Sequence, residues 1–199
     1  MIIDHQHRYI LASIPKTGSI SIQFSLGYGH DIPEPDLYHM SMADIIKNNP
    51  ECYHYKKGGF VRNPWDRIVS LYHDFTVNRV HQYSGLVRVE KPLLSEFKDF
   101  EDFCLNIHQS PWMNDIFFKS QIHLLGHKEG LSDFVGRFEC LSEDFKRFCD
   151  LVGLQGVTLE HRNTGKYDKS SYRRFYSDQA AEAIGKLYHD DAEILGYEF

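Results

Sequence analysis

Cysteine is scarce in this chain and proline hardly commoner, with 4 and 7 among 199 residues. Cys52, Cys104, Cys140 and Cys149 never pair at Cys-x-x-Cys spacing, and three of the four stand among apolar neighbours ("DFCLN", "FECLS", "RFCDL"). Such thiols read as reduced and buried in a cytosolic protein, not as a disulfide framework. Positive charge is also lacking. A formal net charge of -6 argues against a general nucleic-acid or membrane-surface binder, which needs a basic face. The first residues, "MIIDHQHRYILA", carry charge early and have no long apolar core, so neither a signal peptide nor a membrane anchor is expected, and a cytoplasmic location is. No repeat, low-complexity tract or linker interrupts the chain, and one domain over 1–199 is expected.

What is present suits a full core: 42% of residues are hydrophobic and 14% aromatic. "RYILASI" (8–14) is a short apolar run ended by Pro15, as in a buried strand, and a helix is expected from Gly18 to about Gly27. "GGFVR" (58–62) reads as a second strand. "NPWDRIVSLYHDFTVN" then reads as a helix with Asn63 as N-cap, Pro64 at its first position and Asp66 in its first turn. "LLSEFKDFEDFCLNI" (93–107) puts Leu93, Phe97, Phe100, Phe103, Cys104 and Ile107 on one helical face. Further on, "DFVGRFE" (133–139) suggests a strand, "SEDFKRFCDLVG" a helix capped by Ser142, and "SDQAAEAIGKLYHDDAEIL" a helix capped by Ser177. Strands alternating with helices imply an α/β sheet layered by helices, with ligands beyond the carboxyl ends of the strands. His5 and His7 read as strand neighbours on one face, and without a second pair at ligand spacing no metal is expected there.

Two strand-to-helix junctions carry polar chemistry. "SIPKTGSISIQFS" (13–25) exposes backbone N–H groups at the positive end of a helix, with Lys16 adding charge and Thr17, Ser19 and Ser21 adding hydroxyl donors. It is either an anion cradle or an ordinary helix start with a surface lysine. The pattern GxxxxGK[ST] of nucleotide kinases does not fit, since lysine precedes glycine here and "YILASIP" offers no upstream glycine. No apolar strand ends in an aspartate placed for magnesium, which that class also needs. At the second junction Arg62 closes a strand, and Ser70 lies about two turns along the following helix. Arg62 and Ser70 can converge on a second anion; alternatively Arg62 pairs with a local carboxylate such as Asp66.

Taken together, "IPKTGSIS" resembles the 5'-phosphosulfate loop, and "FVRNPWDRIVSLY" the 3'-phosphate motif, of sulfotransferases that use 3'-phosphoadenosine 5'-phosphosulfate (PAPS). Lys16 and Arg62 stand 46 residues apart in the numbering. "HMSMADII", "FVGRFECLSEDF" and "DDAEILGYEF" are similar to further family segments, so the likeness covers nearly the whole chain, and it is greatest to the carbohydrate-sulfotransferase branch and its short bacterial relatives. The resemblance implies a P-loop-like three-layer fold with a central, mostly parallel sheet flanked by helices. It implies that Lys16 and the backbone of Thr17, Gly18, Ser19 and Ile20 hold the 5'-phosphosulfate, with Lys16 also catalytic at the bridging oxygen, and that Arg62 and Ser70 hold the 3'-phosphate. It also implies sulfuryl transfer to a hydroxyl, on a carbohydrate or other small-molecule acceptor, without a metal and without nucleic acid or membrane as partner.

The same resemblance favours His39, 23 residues before Arg62, as the base that takes the acceptor's proton. His54 and His123 are its rivals, and Glu34, Asp36 or Asp44 could supply a carboxylate instead. "HRNTGKYDKSSYRR" (161–174) sets Arg162, Lys166, Lys169, Arg173 and Arg174 against one acid, Asp168. It is either a solvated loop or, as the resemblance implies, a lid over the nucleotide, for which Arg162, Lys166 and Tyr167 are the best candidates. A non-catalytic nucleotide-binding protein is the alternative of different class; a kinase is the third.

Overall fold

The computed structural model describes residues 1–29, 40–76, 94–160 and 172–199. His39, Glu34, Asp36, Arg162, Lys166 and Tyr167 therefore lie outside the described residues. The chain forms two compact units, one from Met1–Arg62 and Lys119–Thr164, the other from Asn63–Phe118 and Gly165–Phe199.

The first unit is built on a four-stranded sheet in the order β1 (Ile2–Asp4), β2 (Tyr9–Ala12), β3 (Lys56–Val61), β4 (Phe134–Arg137). β1 is antiparallel to β2, while β2, β3 and β4 run parallel. All four residues of β2 are buried, so it reads as an unbroken apolar run, as a strand covered on both faces should. β1 was not anticipated, and it corrects the reading of His5 and His7: both lie in the turn between β1 and β2, where His7 Nδ1 meets Asp4 Oδ2 at 3.3 Å.

Glycine is a poor strand former, yet β3 and β4 carry three. The register pairs Gly58 with Phe134 and Phe60 with Gly136, so each phenylalanine faces a residue without a side chain. A Cβ at Gly136 would stand 2.6 Å from two atoms of the Phe60 ring, and one at Gly58 would stand 3.0 Å from Phe134 Cβ. The two rings cover their own sheet, and on this face they pack with Ile2, Tyr9 and Leu11, with Ile22 of α1 (Ser19–Ser25), and with Phe145, Phe148, Cys149 and Val152 of α6 (Leu141–Val152). Elsewhere in this unit Leu125 closes on Gly59, where a Cβ would come within 2.7 Å of its Cδ2. Leu125 ends α5 (Gln121–Leu124), which packs near α2 (Met42–Asn48). α6 starts at Leu141 straight from a 3-10 turn, Phe138–Cys140, and Cys140 is its N-cap without a side-chain bond. Ser142 thus falls inside the first turn and is not the cap.

The second unit is helical. α3 (Pro64–Thr76) begins as expected: Asn63 Oδ1 accepts from the N–H of Trp65 at 3.1 Å and of Asp66 at 3.4 Å. α4 spans only Phe100–Asn106, because Asp99 adopts an extended conformation and its side chain accepts from Asp102 N–H at 2.9 Å, fixing the start there. Of the apolar face expected for 93–107, Phe103, Cys104 and Ile107 are buried and Phe97 and Phe100 pack against them, while Leu93 lies outside the described residues and its neighbour Leu94, which was not expected on that face, is buried in the same cluster. Ser177 caps the terminal helix, but that helix is two: α7 (Asp178–Leu187) and α8 (His189–Leu195). The break falls at Tyr188, which is buried and whose hydroxyl donates to Phe118 O at 2.9 Å. Trp65 Nε1 donates to Ala181 O at 2.8 Å, tying α3 to α7.

Three cysteines, Cys52, Cys104 and Cys149, are buried free thiols, while Cys140 is exposed, a correction to its expected burial. Its place just before α6 puts it on the rim of the turn, not on the inward stripe. Among the described residues no helix is long and apolar enough to cross a membrane.

Candidate functional site

β2 delivers the chain to a loop with unusual backbone geometry. Ile14 is fully buried, Lys16 takes φ 70° and Gly18 φ 83°, while Thr17 between them does not have a positive φ. Alternation of left-handed and ordinary residues is the backbone pattern from which anion-binding nests are built. For Lys16 this conformation is uncommon and carries strain. Gly18 is required twice over: its φ favours glycine, and a Cβ there would stand 2.7 Å from Leu141 Cδ2 and 3.4 Å from Phe138 Cδ2.

Thr17 is buried and its hydroxyl donates to Ile14 O at 2.9 Å. The hydroxyl is thus engaged in shaping the loop, and the main chain at Thr17 is the part that the resemblance assigns to an anion. Ser21 is buried as well, on the inner side of α1, whereas Lys16, Gly18, Ser19 and Ile20 are half-buried. Gly18 is the N-cap of α1 and makes no side-chain cap bond, and Gln23 Nε2 ties the helix back to Ser13 Oγ at 3.1 Å.

Arg62 directly follows β3, which ends at Val61, one residue before the expected end of that strand, and the adjacency of the parallel strands β2 and β3 brings two sequence motifs together. Its Nη1 donates to Lys16 O at 3.1 Å. Its guanidinium carbon lies 4.2 Å from the centre of the Phe138 ring, within the range of a cation–π contact. The main chain of Arg62 is fixed by one side chain, since its N–H donates to Gln121 Oε1 at 2.9 Å and its C=O accepts from Gln121 Nε2 at 2.8 Å. Arg62 and Gln121 are both buried.

Gln121 and Phe138 are the residues that sequence reasoning missed. "SQIHLLG" and "FVGRFECLS" gave no local pattern that assigns either a role, although the second had been matched as a segment. A fully buried glutamine is the signal, and only the fold displays it.

The other candidates are placed as follows. Ser70 is buried on α3 of the second unit. His54 is exposed at the end of a 3-10 turn, Pro50–His54, and His123 is exposed on α5. Asp44 is engaged in the cap of α2: Ser41 Oγ donates to Asp44 Oδ2 at 2.7 Å, and Asp44 N–H donates back to Ser41 Oγ at 3.2 Å. Of the basic segment 161–174, only the end is described. There Arg173 lies over the Tyr172 and Phe199 rings, and Arg174 over Phe175.

Compared with known proteins, residues 1–198 match the model of the sulfotransferase family. No match was found among curated proteins or among solved structures.

Proposed function

The chain belongs to the sulfotransferase family, and we propose that it moves the sulfuryl group of PAPS to a hydroxyl of a carbohydrate or other small acceptor. The observation that carries this reading is the 3.1 Å bond between Arg62 Nη1 and Lys16 O, which joins the two segments that resemble the 3'-phosphate and 5'-phosphosulfate motifs. The residues present fit a doubly anionic nucleotide: a loop with turned N–H groups, a flexible cation beside it, and a guanidinium at the end of the next strand. PAPS itself supplies an activated sulfuryl group on a phosphate leaving group.

In this reading the main chain of Thr17, Gly18, Ser19 and Ile20 holds the 5' end, and Lys16 neutralises the charge that grows on the departing oxygen. A sulfuryl group carries less charge than a phosphoryl group and asks less neutralisation, so a lysine and N–H donors suffice where phosphoryl transfer uses magnesium. Arg62 grips the 3'-phosphate. The further roles, Ser70 at the same phosphate, Arg162, Lys166 and Tyr167 in a closing segment, and His39 as the base, rest on the resemblance of their segments. A P-loop-like three-layer arrangement, a single functional domain over 1–199 and a cytoplasmic setting complete the reading.

Calorimetric titration with adenosine 3',5'-bisphosphate, beside ATP and AMP, without and then with magnesium, tests it. Tight binding of the bisphosphate alone, lost in Arg62→Ala, is expected. Binding of Mg-ATP alone would overturn it.

A further inference from the structure

Arg62 is more than an anion grip, because the same guanidinium that faces one motif holds the main chain of the other. We propose that Phe138 and Arg62 act as a coupled pair of positioning groups that set the Lys16–Gly18 loop, so that the grip on the 5' anion depends on both. The inference rests on the reading of the two segments as the nucleotide's 5' and 3' holders.

Four observations converge. The left-handed φ of Lys16, 70°, is a strained conformation that needs an outside restraint, and the bond from Arg62 Nη1 to Lys16 O is such a restraint. The guanidinium is in turn held against the Phe138 ring at 4.2 Å. The same ring borders the loop, with its Cδ2 3.4 Å from where a Cβ at Gly18 would stand. Gln121 fixes the main chain of Arg62 on both sides, so the guanidinium reaches the loop from an anchored backbone. One aromatic ring therefore stacks on the guanidinium and borders the loop at Gly18, and loosening it is expected to free both together.

A plain 3'-phosphate grip and a loop-setting pair differ in what happens to a ligand that has no 3'-phosphate. Adenosine 5'-phosphosulfate is that ligand, and titration of it beside adenosine 3',5'-bisphosphate separates the two. With the coupling in place, Arg62→Ala weakens the 5'-phosphosulfate as well as the bisphosphate. Phe138→Leu weakens both by about tenfold, the order of a lost cation–π contact. Phe138→Tyr, which keeps the ring face, restores both, and Phe138→Leu has little further effect once Arg62 is alanine. Phe138 is only half-buried, so its variants should fold, and a thermal melt of each checks this. A fall in melting temperature with unchanged affinity would make Phe138 merely structural and overturn the proposal. So would 5'-phosphosulfate affinity that ignores Arg62. If the wild-type protein binds neither nucleotide, the nucleotide reading itself fails, and the coupling fails with it.

Discussion

Phe60 and Gly136 face each other across the parallel pair β3 and β4, and the Phe60 ring fills the place a side chain at 136 would take. Phe60 is fully buried and its ring also meets Phe134 and Phe148 edge-on, at 5.8 and 6.2 Å. It has no room to yield. Gly136→Ala is therefore expected to destabilise the protein by about 1–3 kcal/mol, the usual cost of overpacking, although alanine is the better strand residue. Urea unfolding measures this, and Phe60→Leu in the same chain should recover part of the loss. Full stability of the single variant would show that the sheet can shift.

A second expectation concerns Arg67, the largest fully buried side chain among the described residues. Its Nη1 donates to Phe117 O at 3.1 Å, and its guanidinium lies 5.1 Å from the centre of the Tyr188 ring. Burial, opposed by the charge of Arg67 and reinforced by that of the buried Asp191, pushes the Tyr188 hydroxyl up to about 12. Arg67→Met removes the cation and leaves a buried carboxylate in that cluster, at a cost of about 3–5 kcal/mol. Thermal unfolding of Arg67→Met beside Arg67→Met with Asp191→Asn tests it: the double variant should be the more stable of the two.

These two cases mark where sequence reasoning succeeds and stops. The apolar run ending at Pro15 and the Asn63-Pro64 start locate β2 and α3 because turn and cap chemistry is local. The loop at Lys16 and Gly18 and the arginine after β3 stood out for another reason, their resemblance to a pair of family motifs, since each alone also read as an ordinary helix start or a local ion pair. β1 escaped because three residues, Ile2–Asp4, are too few for a period to register. α4 came out short because Asp99 caps it from within a stretch whose apolar spacing continues on both sides. Gln121 and Phe138 were invisible as site residues, since their meaning lies in contacts 59 residues away from Arg62 for Gln121 and across strands for Phe138.

Thiol reactivity offers a third test. Cys140 is exposed, whereas Cys52, Cys104 and Cys149 are buried. Burial raises the Cys104 thiol and pushes Cys149 up to about 11, so neither presents thiolate near neutrality. A native-state reaction with a thiol reagent should modify Cys140 alone within the fast phase, and unfolding should expose the other three. Peptide mapping by mass spectrometry identifies the site, and fast labelling of Cys104 would contradict the packing of the second unit.

The turn after β1 predicts a pH effect of definite sign. Burial raises the Asp4 carboxyl, but bonds from His7 N–H at 2.7 Å, the His7 ring and the Tyr28 hydroxyl at 3.1 Å outweigh it, so the net shift is below the ordinary 3.8. A carboxyl lowered in the fold stabilises it above the unfolded value and loses that contribution as pH falls through the folded one. Asp4→Asn should therefore melt lower than the wild type at pH 7, and the gap should close below about pH 4. A gap that persists at pH 2 would mean that the shape of Asp4, not its charge, holds the turn.

The sharpest functional expectation belongs to Lys16. Its side chain extends from a residue whose backbone is held left-handed, φ 70°, two residues before Gly18 at φ 83°, so the origin of the side chain is fixed. If it stabilises charge on the departing phosphate oxygen, that interaction exists fully only in the transition state. Lys16→Met should then lower kcat by about 100-fold or more, the scale of a lost transition-state donor, while KM for PAPS changes far less. A lysine that only attracts the nucleotide would give the opposite pattern, with KM raised and kcat kept. Steady-state transfer to a hydroxyl acceptor, with Lys16→Arg as the charge-preserving control, decides between them. Arginine keeps the charge but replaces a compact ammonium with a wide planar fork. A variant that recovers binding without recovering kcat would locate the requirement in the ammonium's position, and so in the loop that sets it.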